Sequence, residues 1–479
     1  MINFNLSGNT KPKIHINLGA LLDIPTGSII TGRKGETIIN GGLGQITGVV
    51  GPGNNYKSTI AHYMMLSAAD KIQGTTNTAM ATYDTEVNVN LERLDHLSEK
   101  FANLPENPTT TGTWFVTDKS VMPADKWATE INTYMENKAK DKNNIKKLEG
   151  FTDPYTKKEL EFITPTFVEI DSLTEFEPES TMEMLEDGLD SSDTNTYFMK
   201  QGLFKTKFIT TLPRLSNMSN TYFIVTAHIG EKINMATGPA MYQQPTKKLQ
   251  YLKAGDTIKG VSSKFQFLLN NAWFANTATQ LVNQNTKLPE YPKGVADDQK
   301  TDLNVVKLTQ LRGKNGGSGY TLELVVSQVD GVLPSLTEFH FIKENNRYGL
   351  GGSVQNYYLE LRPDVSLMRT TVRKKLDEDP LLARAANITA ELLQLKIFHP
   401  SISLKDLYCD PKTLYEDIKK LGYDWNILLD TRGYWTIDQY KNPLPFLSTV
   451  DLLKMRKGLY HPYFLDDKKK LKAEYVRRK

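Results

Sequence analysis

Apolar positions along the chain fall into two kinds: short unbroken runs and stripes at helical spacing. Ile46-Thr47-Gly48-Val49-Val50 has no polar face, the pattern of a strand buried on both sides. After it, Ile60, Ala61, Met64, Met65, Ala68, Ala69 and Ile72 share one helix face. Further strands are expected at Ala79-Met80-Ala81-Thr82-Tyr83, at Thr166 to Ile170 and at Thr221 to Thr226. Helices are expected over Pro123 to Lys140, with Trp127, Ile131, Tyr134 and Met135 on one face, and over Thr196 to Ser216, carrying Phe198, Leu203, Phe204, Phe208, Ile209 and Leu212. Three more strands are expected at Phe265 to Ala275, Leu303 to Leu311 and Tyr320 to Gln328. Strands interleaved with helices make this an α/β pattern.

Between these elements the pattern is weaker. Residues 1–45 read as an N-terminal segment with turns at Thr26-Gly27 and Gly41-Gly42. Residues 104–165 and 283–302 read as inserts, and Asn143 to Lys158 as a polar, turn-rich surface elaboration. Residues 173–195 hold eight acids and no Lys or Arg, which predicts a mobile, self-repelling loop. Near residue 350 the character changes. Gly349 to Gly352 reads as a linker, and Asp379 and Pro380 as the N-cap and first residue of an amphipathic helix reaching Ile397. The expected organisation is an N-terminal segment to 45, a core over 46–348, and a small, mainly helical C-terminal domain over 349–479. Its basic tail, from Lys468, is read as solvated, with contact to DNA as the alternative.

Composition sets only broad limits. The chain has 479 residues, 39% hydrophobic and 24% charged, with a net charge of +3, so any nucleic-acid site must be local. The single cysteine, Cys409, excludes an intramolecular disulfide and fits a reducing compartment. There is no apolar stretch of membrane-spanning length and no leader pattern at the N-terminus, so a cytoplasmic protein without a membrane partner is expected.

Candidate chemistry clusters at the ends of the expected strands. Gly51-Pro52-Gly53-Asn54-Asn55-Tyr56-Lys57-Ser58-Thr59 lies between a strand and a helix, the setting of a phosphate-binding loop. There Lys57 would neutralise phosphate charge and the Ser58 hydroxyl would meet Mg²⁺, although Tyr56 stands where such loops usually have Gly. Asp84-Thr85-Glu86 ends the next strand. Its acids are either ordinary strand-end carboxylates or groups facing a γ-phosphate. Asp171-Ser172 ends another, where an aspartate can hold a metal through water. Glu169 shares a face with Asp171 and lies either near that metal or at a strand edge. His228 is either a γ-phosphate sensor or a packing residue. Residues 229–264 interleave Lys232, Lys247, Lys248, Lys253, Lys259 and Lys264 with Tyr242, Tyr251 and glycines. That mixture suits a nucleic-acid backbone and its bases, the alternative being a solvated loop. Arg312-Gly313-Lys314 reads as a hairpin turn or as charge presented to a neighbouring subunit.

In order and type these motifs resemble the RecA family of recombinases, over about residues 26–340. The aromatic Tyr56 is closest to the phage UvsX-type members. The resemblance implies a RecA-like P-loop ATPase core, with a central, mostly parallel sheet flanked by helices. It implies ATP and Mg²⁺ as cofactors, bound by residues 51–59 with Ser58 and Asp171 at the metal. It further implies Glu86 as the water-activating carboxylate, His228 as the coupling residue, and Arg312 and Lys314 as cations reaching across a subunit interface. Its partners would be single-stranded DNA, duplex DNA in strand exchange, and further copies of the chain in a helical filament. Ala227 in place of the family's Asn, the acidic 173–195 segment, the basic tail and the two inserts depart from the family. A DnaB-type hexameric helicase, or a RecA-fold DNA-binding protein without turnover, are the alternatives.

Overall fold

The computed structural model describes residues 12–73, 79–188, 193–231, 256–259, 268–283, 285–294, 301–314, 318–353, 355–398 and 402–476. Among these, ten strands form one sheet. Nine follow the chain as β1 (Ile46–Gly51), β2 (Ala79–Asp84), β3 (Trp114–Asp118), β4 (Thr166–Asp171), β5 (Thr221–Glu231), β6 (Asn271–Gln280), β7 (Leu303–Gly313), β8 (Thr321–Ser327) and β9 (Gly331–Val332). Their spatial order is β9-β8-β7-β6-β1-β5-β4-β2-β3, and the short strand Asp256–Ile258 pairs with the far end of β5. The six strands from β6 to β3 run parallel, while β7, β8 and β9 extend the sheet antiparallel. Sequence reasoning placed β1, β2, β4, β5, β7 and β8 within a few residues and β6 too early, since it starts at Asn271 rather than Phe265; β3, β9 and the strand Asp256–Ile258 were not expected.

Alternation along the parallel strands builds two cores. Met80, Phe167, Tyr222 and Ile224 face one side, where helix α1 (Lys57–Gln73) packs. Tyr83, Val168, Ile170, Phe223 and Val225 face the other, covered by α2 (Ala124–Lys140) and α3 (Asp193–Ser219). By the same period of two, Thr82, Asp84, Glu169, Asp171, Thr226 and His228 belong to the α1 side. Glu169 is therefore fully buried between sheet and helix, not at a strand edge.

Three expectations are corrected. The 143–158 stretch is half of a hairpin, Ile145–Thr152 with Glu159–Ile163, which buries Leu148, Phe151, Leu160 and Phe162. The acidic 173–195 segment is largely ordered. It forms the helix Glu179–Glu186 and the start of α3. Its charge is accommodated because Glu177 accepts from the Tyr197 hydroxyl (2.7 Å) and from Gln201, and Lys126 pairs with Glu179 at 2.8 Å. The basic tail is not merely solvated. Tyr475 is buried and donates to the Tyr440 carbonyl at 2.8 Å, and residues 477–479 lie outside the described chain.

Residues beyond 350 add a three-stranded sheet, beginning at Leu350–Gly352 where a linker was expected, and several helices. Asp379 caps helix α5 (Pro380–Phe398) by accepting from Leu381 N (3.0 Å) and Leu382 N (3.1 Å), as its sequence implied. Helix α5 packs on α4 (Pro334–Glu344). Trp435 lies against Phe151 and Phe162 and donates to the His15 carbonyl at 3.1 Å. Apolar side chains from Ile14 to Tyr475 belong to one hydrophobic cluster. No helix among the described residues is long and apolar enough to cross a membrane.

Candidate functional site

The carboxyl ends of β1, β2, β4 and β5 converge on one edge of the sheet. In open α/β sheets this is where ligands bind. Gly51 has no room for a side chain, since a Cβ would come 2.6 Å from the Ala275 carbonyl. A Cβ on Gly53 would meet nothing within 4 Å, so this part of the loop faces open space. Asn54 and Tyr56 take left-handed φ values of 59° and 60°. Such a conformation is one that glycine adopts at less cost than tyrosine. Tyr56 is held there from outside the loop, its hydroxyl accepting from Asn304 Nδ2 at 2.7 Å. Asn55 Nδ2 adds bonds to the carbonyls of Ala275 (3.1 Å) and Asn276 (2.9 Å). The loop is thus tied to β6 and β7 on its own account.

Helix α1 opens at Lys57, so its first N–H groups, which have no intrahelical partners, point out of the loop. Lys57 is 7% exposed and its ammonium donates to the Pro52 carbonyl at 2.7 Å. Burial pulls its pKa down, opposed by the charges of Asp171 and Glu86 nearby. Ser58 follows, half-buried.

Asp84 turns out to be the scaffold of the next turn. Its two oxygens accept the backbone N–H groups of Glu86 (2.9 Å), Val87 (3.0 Å), Asn88 (2.8 Å) and Val89 (2.8 Å). The turn holds Glu86 at the open edge. There His228 Nε2 donates to Glu86 Oε1 at 3.0 Å. The backbone N–H of His228 is fixed by the Thr174 hydroxyl (2.9 Å), and Lys205, on α3, donates to the Thr174 carbonyl at 2.5 Å. Asp171 is buried and accepts from the Thr226 hydroxyl. Thr85 links the two turns: its N–H donates to the Asp171 carbonyl (2.8 Å) and its hydroxyl to that of Ser172 (2.9 Å). Glu169, one layer down, is pushed well above the carboxylate range by burial and then by the charge of Asp171.

Lys57, Ser58, Glu86, Asp171 and His228 therefore gather at one edge. Arg312 and Lys314 do not. Arg312 pairs in register with Ala272, and the Lys314 N–H donates to Asn270, at the level of Ile46. From Ile46 to Gly51 the strand rises about 16 Å. These cations lie at the opposite edge, near Lys13, whose charge and that of Arg312 help lower the Lys314 pKa after burial. Of the expected nucleic-acid contacts, Lys259 is exposed beside His228, its N–H donating to the His228 carbonyl at 2.9 Å. Lys232, Tyr242, Lys247, Lys248, Tyr251, Lys253 and Lys264 lie outside the described residues.

Sequence reasoning missed Thr174, Thr226, Asn304 and the scaffold role of Asp84. Only Asp84 carried a signal, two residues before a second acid. No protein-family model matches the chain, and no curated protein sequence matches it.

Proposed function

We propose that this chain is an ATP-dependent recombinase of the RecA type that forms helical filaments on single-stranded DNA for strand exchange and repair. One observation carries the reading. A buried lysine at a helix N-terminus, two acidic turns and a histidine bonded to one of them meet at the carboxyl ends of four parallel strands. The donor set fits a nucleoside triphosphate with Mg²⁺: helix N–H groups and the Lys57 ammonium for phosphate, Ser58 and Asp171 for the metal. ATP would supply the phosphoanhydride bond. Glu86 would take a proton from water, and His228, bonded to it at 3.0 Å, would orient its carboxylate. His228, hydrogen-bonded to Glu86, also lies on β5, which continues in sequence into the basic segment, so a change at Glu86 would reach those lysines and tyrosines through one hydrogen bond and the chain that follows. Arg312 and Lys314, on the far edge, would meet a neighbour's loop in a head-to-tail assembly.

Electron microscopy of the protein with single-stranded DNA and a non-hydrolysable ATP analogue tests this. Open helical filaments are expected. Closed six-membered rings would favour the DnaB-type helicase, and DNA binding with neither form a RecA-fold protein without turnover.

A further inference from the structure

Beneath the candidate site lies a polar cluster that the phosphate-loop chemistry does not use. Glu169 interrupts the apolar run of β4 and is wholly buried. Its Oε2 accepts from the Thr82 hydroxyl of β2 at 3.0 Å, and that hydroxyl accepts from Trp114 Nε1 of β3 at 2.9 Å. His62 Nε2 lies 3.4 Å from the same carboxyl oxygen. His62 stands on α1 one turn after Ser58, packed edge-on to Trp114 with ring centroids 6.0 Å apart. The His62 approach is not aligned as a hydrogen bond, and Glu169 Oε1 has no partner among the described residues.

Such a cluster is unfavourable to bury. An unsatisfied buried polar atom is destabilising, and apolar side chains of similar volume would fill the space without that penalty. What the polar groups add is direction. Apolar packing tolerates small slides, whereas the Thr82–Glu169 hydrogen bond between β2 and β4 does not; the 3.4 Å approach of His62 Nε2 brings α1 against the same carboxyl as a polar contact rather than a hydrogen bond. The three elements joined here carry the site: α1 begins with Lys57 and Ser58, β2 ends in the Glu86 turn, and β4 ends in Asp171. We propose that Glu169 is a positioning residue that, through His62 and Thr82, sets the register of the phosphate loop against the two acidic turns at the expense of stability. Its consequence for turnover rests on the ATPase reading above; the register itself rests on the geometry alone.

The test uses the full chain with His62→Leu and Glu169→Leu combined, beside Glu169→Gln, which keeps an acceptor for Thr82. Three quantities are measured: thermal unfolding, amide hydrogen exchange resolved over residues 51–60 and 84–89, and DNA-stimulated ATP turnover. The apolar pair is expected to melt at or above the parental temperature. Its exchange over those segments should be about tenfold faster and its kcat about tenfold lower, with KM within about twofold, a change on the scale of one hydrogen bond. Glu169→Gln should stay close to the parent in all three. Parental exchange in the apolar pair overturns the inference, while faster exchange with parental turnover overturns its consequence for turnover. A lower melting temperature with exchange raised across the whole chain also overturns it, because the cluster would then be ordinary core. A parent that neither binds nor hydrolyses ATP overturns the ATPase reading, while the exchange data still decide the register.

Discussion

Asp171 ends a strand, and Glu86 and Lys57 follow strand ends by two and six residues; position relative to a strand is what hydrophobic runs disclose. That is why sequence alone could nominate them together with His228. What it could not disclose is the support beneath them, because Asp84, Thr174 and Thr226 act through bonds to backbone and side chains distant in sequence. Lys57→Ala removes the buried ammonium, so ATP binding measured by calorimetry should fall below detection. Glu86→Gln keeps the turn and an acceptor for His228. It should bind ATP and DNA while turnover drops about 10²- to 10⁴-fold; unchanged turnover would remove Glu86 as the base. A separate residue-level effect concerns Glu338, on α4, whose carboxyl burial pushes up to about 8 from an ordinary 4.5. The folded chain keeps a proton there that the unfolded chain sheds, so this group makes stability fall as pH rises from about 4.5 to 8. Glu338→Gln retains an acceptor for Asn387, which donates to Glu338 at 2.8 Å. Its urea midpoint relative to the parent should therefore rise between pH 5 and pH 8.5; parallel pH profiles would show that Glu338 is ionised in the fold.

At the scale of elements, α3 shows where periodicity misleads. Its 27 residues span about 40 Å, while the six residues of β4 span about 20 Å. Helix α3 ends beside the start of β5, so its first half extends past the sheet; there Tyr197, Gln201 and Lys205 are buried, while Phe198 and Leu203 of the apolar stripe read from sequence are exposed. Leu203 is 72% exposed, whereas Phe208 is 3% exposed against Trp127 and Phe176. Leu203→Ser should change unfolding free energy by less than about 0.5 kcal/mol. Phe208→Ala should cost about 3–5 kcal/mol. Equal losses in chemical denaturation would mean that Leu203 is covered in solution. The hairpin at 145–163 failed in the opposite sense. Leu160 and Phe162 alternate with polar residues as a strand requires, but lysines and Gly150 on the other arm hide the period, and its cover, Trp435, lies far along the chain.

For the molecule as a whole, the two edges of the sheet carry different chemistry. One holds the loop, the acidic turns and His228; the other holds Arg312 and Lys314 near Lys13. If the two edges are the two parts of the proposed interface, a protomer would complete a site only by stacking head to tail, which yields an open helix when the rotation does not close. This arrangement can be tested by mixing two inactive variants. Lys57→Ala has a defective loop edge and an intact cation edge; Arg312→Ala with Lys314→Ala has the reverse. Neither alone forms a complete interface, so ATP hydrolysis on single-stranded DNA should be lost in each. In an equal mixture, half the loops are intact and half the neighbouring cation edges are intact. About one quarter of the interfaces, and hence about one quarter of parental turnover, should therefore return if assembly is random. The cation variant must still bind ATP when assayed without DNA, since its loop lies on the far edge. Recovery on mixing would place Arg312 and Lys314 in the neighbour's site. No recovery from two variants that both join mixed filaments would mean that these cations act within their own protomer, and that hydrolysis needs nothing from across the interface.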